Sequence, residues 1–315
     1  MSRSIRFALP FLLLSISAAS HAAFDACRDY FPNQTPPRVS ASPGQTRDLC
    51  MSDFAILHSG ESKTAVFVVE KLNRARLIDA QDEKRTDDFY EEARLPSSHR
   101  ARLADYKESG YDRGHLVPAA DMPTPEAMAQ SFSLANMVPQ ASENNRGIWA
   151  KNVEKPTRQY VMRAKGDVFV FTGPVFPDRP ETIGSGRVWV PSHLYKLVYD
   201  AAENRAWAFW VENRDEARMS RPISYEELVR RVGIEFLPGI KPALGGGAVA
   251  GSTPSEPAPV VVRAEPTGRT TAECGSKRTC KQMNDCAEAM HYLNNCGLSR
   301  FDGDGDGVPC EALCR

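Results

Sequence analysis

The chain has 315 residues, of which 42% are hydrophobic and 25% charged, and its 39 lysines and arginines nearly balance 40 aspartates and glutamates. This composition excludes a largely disordered chain and a multi-span membrane protein, and the length predicts about two domains. A net charge of -1 excludes a protein that holds nucleic acid by overall basic charge, so any nucleic-acid site must be local.

The first 22 residues have the pattern of a secretory signal peptide. Two arginines precede an apolar run from 7 to 16, and Ser20 and Ala22 supply the small residues of a cleavage site. The run is too short to cross a bilayer, which needs about 20 apolar residues. We therefore expect cleavage after Ala22 or Ala23, no membrane span, and a mature protein in the periplasm or outside the cell.

The eight cysteines fall into two groups of even number. Cys27 and Cys50 stand near the front, and we predict that they form a disulfide with each other. Six more stand near the end, and their connectivity is open. Even groups of this kind are typical of disulfide pairing in an oxidising compartment. The terminal group is Cys274, Cys280, Cys286, Cys296, Cys310 and Cys314.

Short runs of β-branched and aromatic residues predict strands, and capping residues predict the helices among them. Strands and helices alternate without the regular rhythm of a parallel sheet, so we predict an α+β fold for residues 23–242. In chain order, the predicted elements are strand 65–69, a helix after Thr124, strand 168–171, a hairpin of 196–199 with 206–211, and a helix from Ser224 to Gly233.

Two motifs occur in the middle of this domain. Residues 109–118 read SGYDRGHLVP, and NMVPQ at 136–140 is followed by NRGIW at 145–149. Together they resemble the signature of the DNA/RNA non-specific endonucleases, the ββα-metal nuclease family, over most of residues 50–235. The resemblance implies a ββα-metal fold with a mixed or antiparallel sheet. It also implies hydrolysis of DNA and RNA with Mg²⁺ or Mn²⁺ and little sequence preference.

His115 is the candidate general base, both by this resemblance and by its chemistry. Phosphodiester hydrolysis requires a water that loses its proton near neutral pH, and histidine is largely uncharged there. Asn145 matches the metal ligand of the family. Its amide oxygen can suffice for Mg²⁺, which keeps several of its waters, although capping of a helix start is the alternative role. Asn136 matches a position where an amide orients the imidazole or contacts phosphate.

Arg113 and Arg158 are candidates for phosphate contact, because guanidinium groups bind phosphate oxygens in pairs and stay charged. By resemblance, Glu154 holds a metal-bound water. Glu154 follows Asn145 by nine residues, whereas other family members have a spacing of eight. At about 100° per residue, nine steps place the two side chains on opposite sides of a regular helix, and eight leave them about 80° apart. Either the helix contains a π-bulge or Glu154 lies outside the metal site.

Residues 243–270, rich in proline, glycine and alanine, predict a flexible linker to a small domain at 271–315. There the run DGDGDGVPCE resembles the Excalibur extracellular calcium-binding domain. Carboxylates at alternate positions also occur in EF-hand loops, but Glu311 comes two positions too early for that motif. An acidic, solvated turn is the alternative. The resemblance implies that Ca²⁺ is bound by Asp302, Asp304, Asp306 and Glu311.

Two classes of function remain open. The first is a secreted metal-dependent endonuclease acting on DNA and RNA. The second is a catalytically inactive, calcium-binding protein of the cell envelope on a nuclease-like scaffold, which the unusual spacing of Asn145 and Glu154 allows. A protease or esterase has no support, because no Gly-x-Ser-x-Gly motif occurs and the cysteines are expected to be paired. The sequence leaves the oligomeric state open.

Overall fold

The computed structural model describes residues 24–40, 44–244, 277, 279–294, 296 and 309–314. The predicted signal peptide and Asp302, Asp304 and Asp306 lie outside these residues. The strands are β1 Arg38–Val39, β2 Thr46–Cys50, β3 Phe54–Ser59, β4 Thr64–Leu72, β5 Asp112–His115, β6 Met137–Gln140, β7 Val168–Val175, β8 Thr182–Ile183, β9 Val188–Trp189, β10 His193–Asp200, β11 Arg205–Glu212, β12 Ile234–Glu235 and β13 Ala243–Leu244. The α-helices are α1 Arg74–Asp79, α2 Leu103–Tyr106, α3 Pro125–Ser131, α4 Lys155–Val161, α5 Tyr225–Val232, α6 Cys286–Asn294 and α7 Glu311–Cys314, and a π-helix covers Asn144–Glu154.

A seven-stranded sheet forms the centre of the large domain. Its order is β13-β11-β10-β7-β4-β3-β2, and all neighbours are antiparallel except β11 and β13, which run parallel. The predicted strands and hairpin correspond to β4, β7, β10 and β11. Thr124 and Ser224 cap α3 and α5 as predicted, and Gly233 ends α5 in the left-handed conformation with φ 68°. The predicted α+β class with a mixed or antiparallel sheet is confirmed.

The predicted linker begins two residues too early. Ala243 and Leu244 form β13, paired with Arg205 and Ala206 of β11, and the amide of Ala243 donates to the carbonyl of Asn204 at 2.8 Å. Composition alone could not reveal this pairing, because Ala and Leu are common in linkers and in strands. Residues 245–276 lie outside the part of the chain that the structure describes.

Successive side chains of a strand point to opposite faces of the sheet, and here a hydrophobic cluster buries each face. On one face, Val68 and Val170 pack with Trp149 and Val153 of the π-helix and with Val161 of α4. This packing fixes the helix that carries Asn145 and Glu154 on the sheet.

The opposite face is covered by the start of the described chain and by α5. Phe24 and Phe31 pack with Phe67 and Phe171 of the sheet, and Leu228 of α5 joins the same cluster. A disulfide between Cys27 and Cys50, with a Cα–Cα distance of 5.7 Å, ties this entry segment to β2.

The strands β5 and β6 form a separate two-stranded ribbon, and the π-helix follows four residues later, which gives the ββα order. In this ribbon His115 pairs with Met137 and Gly114 with Val138. A Cβ atom at position 114 would collide with the side chain of Gln140. Gly114 is therefore required between Arg113 and His115 for the ribbon to close.

The terminal region contains α6 and α7, joined by disulfides Cys280–Cys310 and Cys286–Cys314. Cys296 is also disulfide-bonded. Met283, Ala289 and Tyr292 form a small core with Cys310. With so few apolar residues, disulfides supply much of the stability of such a module.

Candidate active site

A pocket of about 370 Å³ opens between the β5–β6 ribbon, the segment 85–89 and the π-helix. It brings together four of the residues that the sequence singled out: Arg113, His115, Asn145 and Glu154. Asn136 and Arg158 do not line it.

His115 ends β5 and is 9% exposed. Its ring lies between those of Phe89 and Phe132, with centroid distances of 5.7 and 5.0 Å. Burial, together with the nearby Arg85 guanidinium, lowers the pKa of His115 from 6.5 to about 3. Nε2 is buried and has no hydrogen-bond partner among the described residues. The imidazole is therefore uncharged at neutral pH, as a general base must be.

Asn145 is oriented by Asp112 of β5. The Asn145 amide Nδ2 donates to Asp112 Oδ2 at 3.0 Å, so the side chain does not act as a helix cap. Asp112 also accepts from Ser142 and, through both oxygens, from the Arg146 guanidinium. Burial opposes ionisation of Asp112, but the bonds from Arg146, Asn145 and Ser142 outweigh it and lower its pKa. An ionised Asp112 fixes the Asn145 amide, so that Oδ1 is the atom left for a cation.

Glu154 lines the same pocket although it follows Asn145 by nine residues. The reason is the π-helix, whose hydrogen bonds reach five residues along the chain instead of four, so that nine residues make about two turns. Asn152, which would face the site in a regular helix, is exposed instead. The unusual spacing, which had left an inactive scaffold open, therefore gives that alternative no support. Burial raises the pKa of Glu154, opposed by the nearby Lys196 and Arg158 charges.

Arg113 stacks on an aromatic ring at the pocket, with its guanidinium carbon 4.0 Å from the ring centroid of Phe89. Asn136, in contrast, is fully buried. Its Nδ2 donates to the carbonyls of Val117 and Ser131, both at 2.9 Å, and its Oδ1 accepts from the amide of Val117. Asn136 thus holds the backbone just after His115, and phosphate contact by this residue, which the sequence had allowed, is not compatible with its position.

Arg158 lies in a neighbouring groove, where its Nη1 is 3.0 Å from Oδ1 of the buried Asp121. Burial alone would lower its pKa, but the Asp121 and Glu154 carboxylates raise it. The guanidinium is therefore already partly neutralised by the protein.

Beneath the pocket, Lys196 of β10 is buried in the sheet. Its ammonium donates to Thr172 Oγ1 at 2.7 Å and to the carbonyl of Leu116 at 3.3 Å, and it lies 5.8 Å from the ring centroid of Trp149. Lys196 thus connects the sheet with the residue after His115 and with the helix that carries Asn145. Burial, reinforced by the Asp121 carboxylate, raises the pKa of the neighbouring Glu70 well above its ordinary value.

Three contributors to the site were missed by sequence reasoning. Asp112 lies inside the DRGH motif, and its place beside the histidine was a signal that could have found it. Phe89 stands in a polar segment without periodicity, so nothing marked it. Lys196 appeared only as part of a predicted strand, since a buried cation cannot be recognised before its partners are known.

The oxygens of Asn145 and Glu154 are hard ligands of the kind that Mg²⁺ and Mn²⁺ accept. Within the described ranges, no three His, Cys, Asp or Glu side chains are grouped so that they could hold a metal ion by themselves. A site with few protein oxygens suits a cation that keeps most of its waters and also contacts substrate phosphate. The residues present therefore fit such a cation.

A ββα unit that presents an uncharged histidine, an oriented amide oxygen and arginines in one pocket defines the ββα nuclease class. Residues 32–243 match the DNA/RNA non-specific endonuclease family, and residues 277–311 match the Excalibur calcium-binding domain. The chain belongs to the DNA/RNA non-specific endonuclease family, and it is an endonuclease.

Relatives agree with this assignment. Human mitochondrial endonuclease G is 34% identical over 218 residues, which cover 63% of this chain and 72% of that protein. Mitochondrial nuclease EXOG of Xenopus laevis is 32% identical over 265 residues, or 72% and 73% of the two chains. A crystal structure of an EndoG/EndoGI complex shares the fold, with a TM-score of 0.55 and 23% identity over 69% of this chain and 91% of that one. No helix in the described residues is long and apolar enough to cross a membrane.

Proposed function

We propose that the protein is a secreted enzyme that hydrolyses phosphodiester bonds of both DNA and RNA, with Mg²⁺ or Mn²⁺ and little sequence preference. The observation that carries this proposal is the meeting of His115, Asn145 and Glu154 in one pocket. The approximate balance of charge over the whole chain agrees with substrate binding by a local surface.

His115 acts as the general base in this proposal. Because Nε2 is buried, Nδ1 is the nitrogen available to take a proton from the attacking water. The two phenylalanine rings hold the imidazole in place and exclude solvent from its faces. A positioned general base typically contributes a factor of about 10² to 10⁴ in rate.

The remaining residues bind charged groups, three of them at the pocket and Arg158 in the neighbouring groove. Asn145 through Oδ1 and Glu154 through water would hold the divalent cation, which when bound neutralises phosphate charge and stabilises the departing oxygen. Arg113 contacts a non-bridging phosphate oxygen, and its stacking on Phe89 limits its motion. Arg158 contacts phosphate with the part of its guanidinium that Asp121 leaves unused.

Plasmid cleavage tests this function. The purified protein is expected to convert supercoiled DNA, and to degrade structured RNA, with Mg²⁺ and not in excess EDTA, and Mg²⁺ or Mn²⁺ should restore the activity. Arg47→Gln, on the outer strand β2, serves as a surface control expected to cut like wild type. Cleavage that persists in EDTA, or that is restricted to one sequence, would contradict the proposal.

The domain arrangement is part of the same proposal: residues 1–22 direct export, 23–242 with the added strand β13 form the nuclease, a linker follows, and 271–315 bind Ca²⁺. The disulfides support an oxidising destination, the periplasm or the exterior. Calorimetry on the whole protein at millimolar Ca²⁺ should show binding that Asp304→Ala removes. Identical heats for the two proteins would mean that the acidic run is only a turn.

A further inference from the structure

A second groove of about 780 Å³ lies beside the active-site pocket. It runs between α1 and α4 and shares Arg85, Ala119 and Ala120 with the pocket, so the groove and the pocket are adjacent. A chain molecule whose phosphate sits at His115 can therefore reach the groove across these three shared residues.

The rim of the groove is strongly cationic. Five basic side chains line it. Arg85 and Arg158 are paired with Asp87 and Asp121, so three cations stand against the carboxylate of Glu83, although the whole chain is nearly neutral. Arg74, Lys155 and Arg163 are exposed, and Arg74 is held in place by its bond to the carbonyl of Met162 at 2.9 Å. Such a local excess of positive charge matches a polyanion.

The floor of the groove is apolar. Leu77 and Met128 are buried beneath it with 4% and 2% exposure, and the half-buried Met162 and the exposed Ala120 supply its accessible apolar surface. An apolar floor under a cationic rim is suited to a strand whose bases are unstacked, because flat base faces can cover the apolar surface while phosphates meet the cations. A paired duplex would keep its base faces stacked and leave the floor uncovered.

We propose that this groove binds several nucleotides of a single strand on one side of the scissile phosphate. The inference rests on the proposed function, since it identifies the form of nucleic acid that the site engages. It predicts that single strands, or duplexes opened locally, bind more tightly than intact duplexes of equal length.

The first test measures binding without cleavage. Anisotropy of fluorescein-labelled oligonucleotides in EDTA, one single-stranded and one an intact duplex of equal length, compares wild type with the double variant Lys155→Gln/Arg163→Gln. The matched control is Arg47→Gln/Arg221→Gln, two exposed arginines that do not line the groove. We expect the groove variant to lose about tenfold in affinity, and its slope of log affinity against log salt to fall by about 1.4, or 0.7 for each cation. The control should match wild type at equal salt.

The second test uses cleavage. Oligonucleotides with one cleavable linkage are extended on either the 5′ or the 3′ side, and bis(p-nitrophenyl) phosphate serves as a substrate too small to reach the groove. Extension on one side should lower the KM of wild type but not that of Lys155→Gln/Arg163→Gln. Hydrolysis of the small phosphodiester should be the same in both.

The two tests distinguish a failure of the groove proposal from a failure of the proposed function. Equal affinity and equal salt slope in the groove variant, the control and wild type would overturn the groove, whatever the cleavage result. Preference for an intact duplex in the binding test would also overturn it. Loss of single-strand binding in the groove variant, in a protein that shows no Mg²⁺-dependent cleavage, would support the groove and contradict the proposed function.

Discussion

His115 shows how a common side chain is adapted by its surroundings. An exposed histidine would be partly protonated near neutral pH. Here Phe89 and Phe132 remove water from the ring, and two arginines disfavour a further positive charge. The same burial that keeps the imidazole uncharged also holds its orientation.

Replacement of His115 by alanine is expected to lower kcat by about 10²- to 10⁴-fold, because the proposed general base is lost. The thermal unfolding midpoint should fall by only a few degrees, since the ring contacts two aromatic residues and its Nε2 has no hydrogen-bond partner in the described part of the chain. Plasmid nicking rates and circular dichroism melts measure the two effects. A nicking rate within tenfold of wild type would remove His115 from the mechanism.

The acid limb of the activity profile is expected far below the ordinary histidine pKa of 6.5. Only the uncharged ring accepts a proton, and a pKa of about 3 leaves it uncharged throughout the range from pH 5 to 8. Protonation in the unfolded state begins near pH 6.5, so folding stability declines as the pH falls toward 3. The profile of kcat/KM should therefore be recorded where circular dichroism shows the native state. A midpoint near 6.5 would contradict the burial argument.

The π-helix shows how one extra residue is accommodated within an element. Trp149 and Val153 keep one face on the sheet, while the wider turns bring Asn145 and Glu154 to the same pocket. The extra residue is accommodated within the π-helix, so side chains before and after it still face the same side of the helix.

Deletion of the exposed Asn152 is therefore expected to be tolerated. The helix would become regular, Glu154 would stand eight positions after Asn145, and Mg²⁺-dependent nicking should stay within about tenfold of wild type. As a control, one alanine inserted after Arg158 would turn the buried Val161 by about 100° from the core and should lower stability strongly. Loss of cleavage in a well-folded deletion variant would show that the π-helix itself is needed.

The sequence predicted the central elements because each carries a local signal. The apolar residues of β4 and β7 form runs long enough to be recognised. Ser224 caps the start of α5 and Gly233 ends it. Strand β5 of the ribbon is polar and is held in place by its pairing with β6, so strand propensity alone could not predict it. The nine-residue spacing of Asn145 and Glu154 allowed either a π-bulge or a Glu154 outside the metal site. Only the packing of Trp149 and Val153 on the sheet decides between the two. Asp112 is part of the DRGH motif, but its hydrogen bond to Asn145 forms only in the folded chain and could not be read from the sequence.

At the scale of the whole molecule, the central sheet separates the candidate active site from the disulfide that stabilises the domain. The pocket lies on the side of the π-helix, whereas the Cys27–Cys50 disulfide lies with the entry segment against the other face. Changes on the second face should therefore alter stability more than the rate of cleavage.

The double variant Cys27→Ala/Cys50→Ala tests this separation. The disulfide closes a loop with a sequence separation of 23, and its loss should reduce the free energy of unfolding by about 2–4 kcal/mol. Specific activity at 25 °C should be unchanged for the folded fraction. Urea unfolding gives the first quantity and plasmid nicking the second. An unchanged unfolding midpoint would mean that Phe24 and Phe31 dock without help from the disulfide.

A chain that ends at Gly246 is expected to cleave plasmid at the wild-type rate with Mg²⁺. It keeps β13 and the whole pocket, and it lacks only the predicted linker and the terminal module. Comparison with a chain ending at Lys241, which lacks β13, measures what that strand adds to the unfolding free energy. A folded but inactive chain ending at Gly246 would show that the terminal module is part of the enzyme.

The Cys27–Cys50 disulfide also affects how stable the enzyme is inside the cell that makes it. A nuclease without sequence preference endangers the genome and transcripts of the cell that synthesises it. While both cysteines are reduced, the folded-to-unfolded ratio is lower by about 30- to 1,000-fold, the equivalent of 2–4 kcal/mol. On the proposed export route, the bond forms only after the chain has left the cytoplasm. The reduced chain would then unfold more readily inside the cell than the oxidised enzyme would outside it.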